Sequence, residues 1–322
     1  MRWKELKAQA LATGSARLSG EPADRFITRS AAGPGAGGEG SVFFSMGGHR
    51  VRLSLDPMSD VEVVHRGGGV ADLFIGTTQV SGRLEEPGLH CPNQAYITVT
   101  GSCIFHCRYC PVPDLHGQRK SIGEIVAMVE AVRDRVSAIS LTSGVLSSIG
   151  DEEEYVLKVI RQLLPFGLPI GVSIYPTDQT PARLHELGVV EVKFNIEAAT
   201  APLFARMCPD LEYDMIYGVL EDSVQLFGKG KVFSNVIIGL GETDDEMEQC
   251  IRRLTVRGII PVLRPLNPVA GVSAMPRPSP ERLNAVFAMH ERALDAAELD
   301  TRQVQTMCTC CTGCDLVPGR DA

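Results

Sequence analysis

The sequence predicts an α/β protein: a partial (β/α)6 TIM-like barrel of parallel strands, preceded by a loop-rich, mainly β extension and followed by a cysteine-rich tail. Three observations lead there. From residue 94 onward, short apolar runs alternate six times with amphipathic stretches. Each such stretch is long enough to be the crossover helix between two parallel strands. The first ~90 residues read differently, with a glycine-rich segment and brief alternating or β-branched runs. Finally, seven of the ten cysteines fall in two short clusters, one directly after the first barrel strand and one near residue 310.

The expected strands are 95–100, 138–142, 170–175, 189–196, 232–240 and 259–266. The expected helices are 121–136, 152–164, 179–187, 213–226, 243–256 and 280–297. Six units suit a partial rather than a full barrel, and the reactive centre of such a fold lies beyond the carboxyl ends of its strands. The expected boundaries are 1–90 for the extension, 91–298 for the barrel and 299–322 for the tail. Within the extension, 51–55, 61–64 and 73–77 read as strands. The run GPGAGGEG at 33–40 lacks the lysine and Ser/Thr of a phosphate loop and reads as a flexible loop.

Composition narrows the function. The 322 residues include 31 basic and 39 acidic side chains, a net charge of −8. That balance offers no electrostatic footprint for nucleic acid or an anionic membrane. No run approaches the ~20 apolar residues of a spanning helix, and MRWKELKAQALATG carries charges where the apolar part of a signal peptide would lie. The expected location is the cytoplasm, where clustered cysteines point to metal rather than disulfides.

The first cluster, GSCIFHCRYCP at 101–111, places Cys103, Cys107 and Cys110 in a C-x3-C-x2-C spacing. Three thiolates on a short loop can hold three corners of a four-iron cluster and leave one iron open. A zinc site is the alternative, with His106 as the local fourth ligand. The motif resembles the signature of the radical S-adenosylmethionine (SAM) superfamily. That resemblance implies a 4Fe-4S cluster whose open iron chelates SAM and cleaves it to a 5′-deoxyadenosyl radical, with Tyr109 packing near the adenine.

Further segments resemble biotin synthase and lipoyl synthase. FNIE at 194–197 is similar to their Asn-x-Glu segment, implying that Asn195 and Glu197 reach the ribose and methionine parts of the cofactor. A helix-capping pair is the plain alternative. IGLGET at 238–243 is close to their GLGET, with Gly239 and Gly241 allowing close backbone approach and Thr243 capping the next helix. Ser143 and Gly144 stand where the family binds the methionine amino group, and Arg206 resembles a clamp for its carboxylate.

In the second cluster, MCTCCTGCDLVPGRD at 307–321, Cys308, Cys311 and Cys314 form C-x2-C-x2-C, with Cys310 as a spare that could be a fourth ligand. An auxiliary iron-sulfur cluster, a zinc knuckle and redox-active or incidental thiols are the three readings. Cys91, Cys208 and Cys250 read as ordinary residues, and the remaining histidines show no ligand spacing. Arg264 and Asn267, at the end of the last strand, face the expected pocket as substrate contacts or as a structural pair.

Together the resemblances imply a lipoyl synthase component of the two-subunit kind, inserting sulfur from an auxiliary cluster into a protein-bound octanoyl chain. Two 4Fe-4S clusters and SAM are the implied cofactors. An octanoylated lipoyl-domain protein, a paralogous radical SAM subunit and a ferredoxin or flavodoxin donor are the implied partners. A maturase of a hydrogenase metal cofactor is the alternative enzyme, and an electron carrier the non-enzymatic one.

Overall fold

A computed structural model describes residues 2–29 and 38–321. Most of the glycine-rich run lies outside the described residues.

The chain opens with a helix the sequence reading did not foresee, α1 (Trp3–Thr13), closed by Gly14 in the left-handed conformation. Its buried residues include Trp3, Leu6, Lys7, Ala8, Ala10 and Leu11, so no single polar face announces it. Six strands follow: β1 (Ser15–Gly20), β2 (Ser41–Met46), β3 (His49–Leu55), β4 (Glu62–Gly67), β5 (Val70–Ile75) and β6 (Thr78–Glu85). They do not form a loose extension. They close into a barrel of order β1-β3-β2-β6-β5-β4. Hairpin pairings join β2 to β3, β4 to β5 and β5 to β6. Closure depends on β1, which runs parallel to both β3 and β4, and barrel closure leaves no exposed sheet edge.

The second unit matches the six expected repeats. Its strands are β7 (Gln94–Thr98), β8 (Ala138–Thr142), β9 (Ile170–Ser173), β10 (Glu191–Lys193), β11 (Val232–Ile238) and β12 (Ile259–Pro265). They are all parallel and lie in chain order, β7 at one edge and β12 at the other. The crossovers are α2 (Ile122–Glu130), α3 (Ile149–Leu163), α4 (Thr180–Glu186), α5 (Ala201–Met207), α6 (Tyr213–Phe227) and α7 (Asp244–Thr255). They are followed by α8 (Pro280–Ala296) and the short α9 (Met307–Cys311). Thr243 accepts from the Glu246 amide in a capping box at the start of α7, as IGLGET predicts. None of the described helices is long and apolar enough to cross a membrane.

The sheet curls around the C-terminal tail. The Thr306 and Gln305 amides bond to buried Glu191 of β10, which also accepts from the Thr306 hydroxyl at 2.6 Å. Gln94 of β7 holds Met307 through both amide atoms, at 2.7 and 3.0 Å. The Ser140 hydroxyl of β8 accepts from the Met307 amide at 2.9 Å. Gly171 of β9 is required there, because a Cβ would sit 2.0 Å from Thr306 Oγ1. Tyr96 of β7 and Arg264 of β12, at opposite edges, both reach Cys308 Sγ. The tail thus fills the interior of the half-barrel.

The β1–β6 barrel covers the open side. The Arg52 amide donates to Gly313 O at 2.7 Å, and a Cβ on Gly313 would strike Phe43 at 2.5 Å. Lys7 of α1 is fully buried, donates to Thr312 O and pairs with Asp321 at 2.7 Å. Asp321 also accepts from Trp3 Nε1 at 3.0 Å and the Val317 amide at 2.9 Å.

On α8, His290 is buried with neither ring nitrogen hydrogen-bonded. Burial depresses its pKa from 6.5 to about 3. The folded pKa is below the unfolded one, so its penalty is absent above pH 6.5 and grows as pH falls toward 3. Denaturant titrations should therefore show about 2 kcal/mol less stability at pH 5 than at pH 7 from this group. His290→Leu should remove that part of the slope and leave stability at pH 7 equal or higher; an unchanged slope would show the ring is solvated.

Candidate active site

The loop after β7 carries the first cysteines and is tied down on three sides. The Ile104 amide bonds to Val145 O at 2.8 Å, the His106 amide to Asp210 at 2.8 Å, and the Arg108 amide to Met207 O at 2.9 Å. Gly144 presses on the loop so closely that a Cβ would stand 2.1 Å from Ser102 O and 3.2 Å from Cys103 Cβ. Beneath it, buried Glu152 accepts from Thr100 Oγ1 and Ser143 Oγ, both at 2.7 Å, and from Arg119. The Ser143 hydroxyl is therefore part of this brace, and it also accepts from the Thr100 amide at 3.0 Å.

Cys103, Cys107 and Cys110 line one cavity of about 150 Å³ with Tyr109, Ser143, Gly144, Asn195 and Glu197. Motifs from the ends of three strands, β7, β8 and β10, are thereby brought together. Glu197 has a left-handed backbone, φ 55°, which aims its carboxylate back toward the cysteine loop. Burial raises its pKa against the lowering effects of Lys193, Tyr109 and Asn195, and Oε2 has no hydrogen-bond partner. Asn195 Oδ1 accepts from the Asn235 amide at 3.2 Å. Neither residue caps a helix, since α5 is capped by Thr200. Gly239 and Gly241 have φ of 109° and 116°, and a Cβ on Gly241 would lie 3.3 Å from Arg206. Arg206 sits against the β11 loop; it does not line either cavity described here.

These residues fit a three-thiolate cluster. Three thiols, an unpartnered buried carboxylate oxygen and an amide side chain face one space, while His106 turns outward to Asp210 at 3.3 Å. Among the described residues, no three His, Cys, Asp or Glu side chains are grouped as for one metal ion. A cubane differs in spreading its thiolates over separate irons.

The second thiol group lies deeper. Cys308, Cys311 and Cys314 are buried and border one small space with Phe43, Tyr96 and Asp315. Arg264 Nη2 lies 3.1 Å and Lys193 Nζ 3.6 Å from Cys308 Sγ. Burial alone would raise the Cys308 pKa, but these two cations carry it below the ordinary thiol value. Cys311 is lowered to about 7, first by a hydrogen bond from Cys91. Cationic donors aimed at sulfur suit an anionic iron-sulfur cluster.

A larger cavity, about 250 Å³, joins the two groups. Tyr109, Cys110 and Glu197 from the first group border it together with Cys314 and Arg264 from the second, with Leu11, Ile237 and Leu266 among its apolar walls. Arg277 lines it and donates to Asn267 Oδ1. Arg264 thus serves the thiols and Asn267 serves Arg277. The contribution of α1 and Arg52 to this cavity had no signal in the sequence, because both belong to the remote first unit.

Residues 97–254 match the family model of the Radical SAM superfamily, and this part of the chain belongs to that superfamily. No curated protein matches the chain. Among solved structures, the FeFe-hydrogenase maturase HydG from Carboxydothermus hydrogenoformans is similar with a TM-score of 0.53 at 18% identity, over 63% of this chain and 51% of that one. Methylornithine synthase gives 0.53 at 14%, over 62% of each chain. Streptococcus suis SuiB, bound to its precursor peptide SuiA, gives 0.53 at 10%, over 65% and 48%. The likeness thus spans about half to three-fifths of those proteins. At these identities it concerns the fold alone. The superfamily match implies SAM and one 4Fe-4S cluster for residues 97–254.

Proposed function

We propose that the protein inserts sulfur into unactivated C–H bonds of a protein-bound octanoyl chain, as one component of a lipoyl synthase. The observation that carries this reading is that one cavity is lined both by Cys110, Tyr109 and Glu197 and by Cys314. A substrate there is within reach of both thiol groups. When bound at Cys103, Cys107 and Cys110, the cluster and SAM supply the one-electron chemistry that removes hydrogen from an unreactive carbon. A second cluster at Cys308, Cys311 and Cys314 supplies the sulfur.

The chain's own residues position and enclose. Leu11, Ile237 and Leu266 line the apolar part of the cavity that takes the acyl chain, and Arg277 with Asn267 offers polar contacts for its amide end. Glu197 and Asn195 orient the cofactor from the segment after β10, and Gly239 and Gly241 admit its adenosine. Covering the open side of the sheet, the β1–β6 barrel helps keep water from the reacting carbon. A paralogous radical SAM subunit completes the second insertion, and a ferredoxin or flavodoxin supplies electrons in the cytoplasm.

The test is anaerobic turnover of an octanoylated lipoyl-domain peptide by wild type and by the Cys308→Ala/Cys311→Ala variant. The expected result is thiolated peptide from wild type alone, with 5′-deoxyadenosine from both. Loss of both products in the variant would count against the reading. Octanoyl-independent turnover of an amino-acid-derived compound would replace it with the maturase alternative.

A further inference from the structure

We propose that Cys91 is the fourth protein ligand of the C-terminal iron-sulfur cluster, and that Cys310 is not a ligand. The inference rests on Cys308, Cys311 and Cys314 holding such a cluster.

Placement is the first argument. Cys91 lies just before β7, in a bridge with Gln94, the same residue that holds the tail through Met307. It is fully buried and packs in one small group with Phe43 and Cys311. Within that group Cys91 and Cys311 are the two thiols. All ten cysteines are free thiols, so this pair is not a disulfide.

Cys310 has the opposite placement. One residue from Cys311 on α9, it points to the other side of the helix, into a separate cavity with Arg50, Asn93, Ser137 and Arg320. Neither Cys91 nor Cys310 borders the space shared by Cys308, Cys311 and Cys314, but Cys91 packs on Cys311 whereas Cys310 opens into that other cavity. Adjacent positions on a helix face about 100° apart, so one short helix cannot aim both thiols inward.

The two cysteine groups also differ in what faces them. Cys103, Cys107 and Cys110 look onto a cavity of about 150 Å³ lined by Ser143, Gly144, Asn195 and Glu197, room for a small-molecule ligand on an open iron. Around the second group, Phe43, His90, Tyr96 and Asp315 close the space, and Cys314 alone also borders the larger cavity. Cys91, packed on Cys311 behind that lining, is the thiolate this closed side can offer to a fourth iron. With Cys91 and Cys311 on the closed side, Cys314 would be the ligand that borders the larger cavity. The cluster then has no open iron for an outside ligand, and its bridging sulfide is the group exposed to substrate.

The test is iron and acid-labile sulfide content with Mössbauer and EPR spectra after anaerobic reconstitution of wild type, Cys91→Ser, Cys91→Ala and Cys310→Ala. We expect about eight irons in wild type and in Cys310→Ala, and about four in Cys91→Ala with the first cluster's spectrum intact. In Cys91→Ser the second cluster should be retained with shifted spectra or be lost to a chelator at least tenfold faster. The remaining first cluster reports that each variant has folded. Eight irons and unchanged spectra in both Cys91 variants, or loss of the second cluster in Cys310→Ala, would overturn the assignment. Four irons in wild type would instead remove the auxiliary cluster itself, and with it the sulfur-insertion reading.

Discussion

Replacing Lys7 by Met should cost about 3–5 kcal/mol of folding stability, the loss expected when one partner of a fully buried ion pair is removed. Lys7 Nζ is enclosed by Asp321 and Thr312 O, with no solvent to take over when it is gone. Asp321 would then hold a buried charge supported only by Trp3 Nε1 and the Val317 amide. Chemical denaturation of the single variants and of Lys7→Met/Asp321→Asn gives the coupling between the two. The double variant should lose clearly less than the sum of the singles. Additive losses would show that the pair is not a unit. Because Asp321 follows Cys314 by seven residues, iron at the proposed second cluster should fall in Lys7→Met while the first cluster's iron stays.

Gly144→Ala should have the opposite pattern. The added methyl would meet the Ser102 carbonyl at 2.1 Å and Cys103 Cβ at 3.2 Å. The obstacle is backbone, so the cysteine loop itself has to move. A displacement near 1 Å of a reacting group is enough to cost ~10²-fold in rate. The expected outcome is at least that loss in 5′-deoxyadenosine formation, with reduced iron at Cys103, Cys107 and Cys110 and the proposed tail cluster retained. Full activity in Gly144→Ala would mean that the loop is not fixed by this contact.

The barrel was legible in the sequence because its strands are buried on both faces and so appear as apolar runs; β8 coincides with its expected range. β10 is shorter than expected, Glu191–Lys193 instead of 189–196. Two of its three residues are charged and serve the tail, Glu191 through the Thr306 amide and Lys193 at Cys308. The first cysteine group was legible because its three members share one loop. Cys91 was not, since its relation to Cys311 exists only after the tail has entered the sheet. The closed N-terminal barrel was equally hidden. Its hairpins leave local patterns, but its closure needs β1 to pair with both β3 and β4. Arg264, left open between substrate contact and structural pair, proves to lie beside a thiol at 3.1 Å.

The clasp between Lys7 and Asp321 spans 314 residues of chain. Closing so long a loop carries an entropic cost that must be met before the contact returns anything. Such a contact forms late, after the half-barrel and the β1–β6 barrel exist as surfaces to join. Interactions absent from the folding transition state act mainly on how fast the native state opens. The clasp should therefore leave the refolding rate nearly untouched and instead govern how long the protein, once assembled, keeps the buried thiols of its tail from dissolved oxygen.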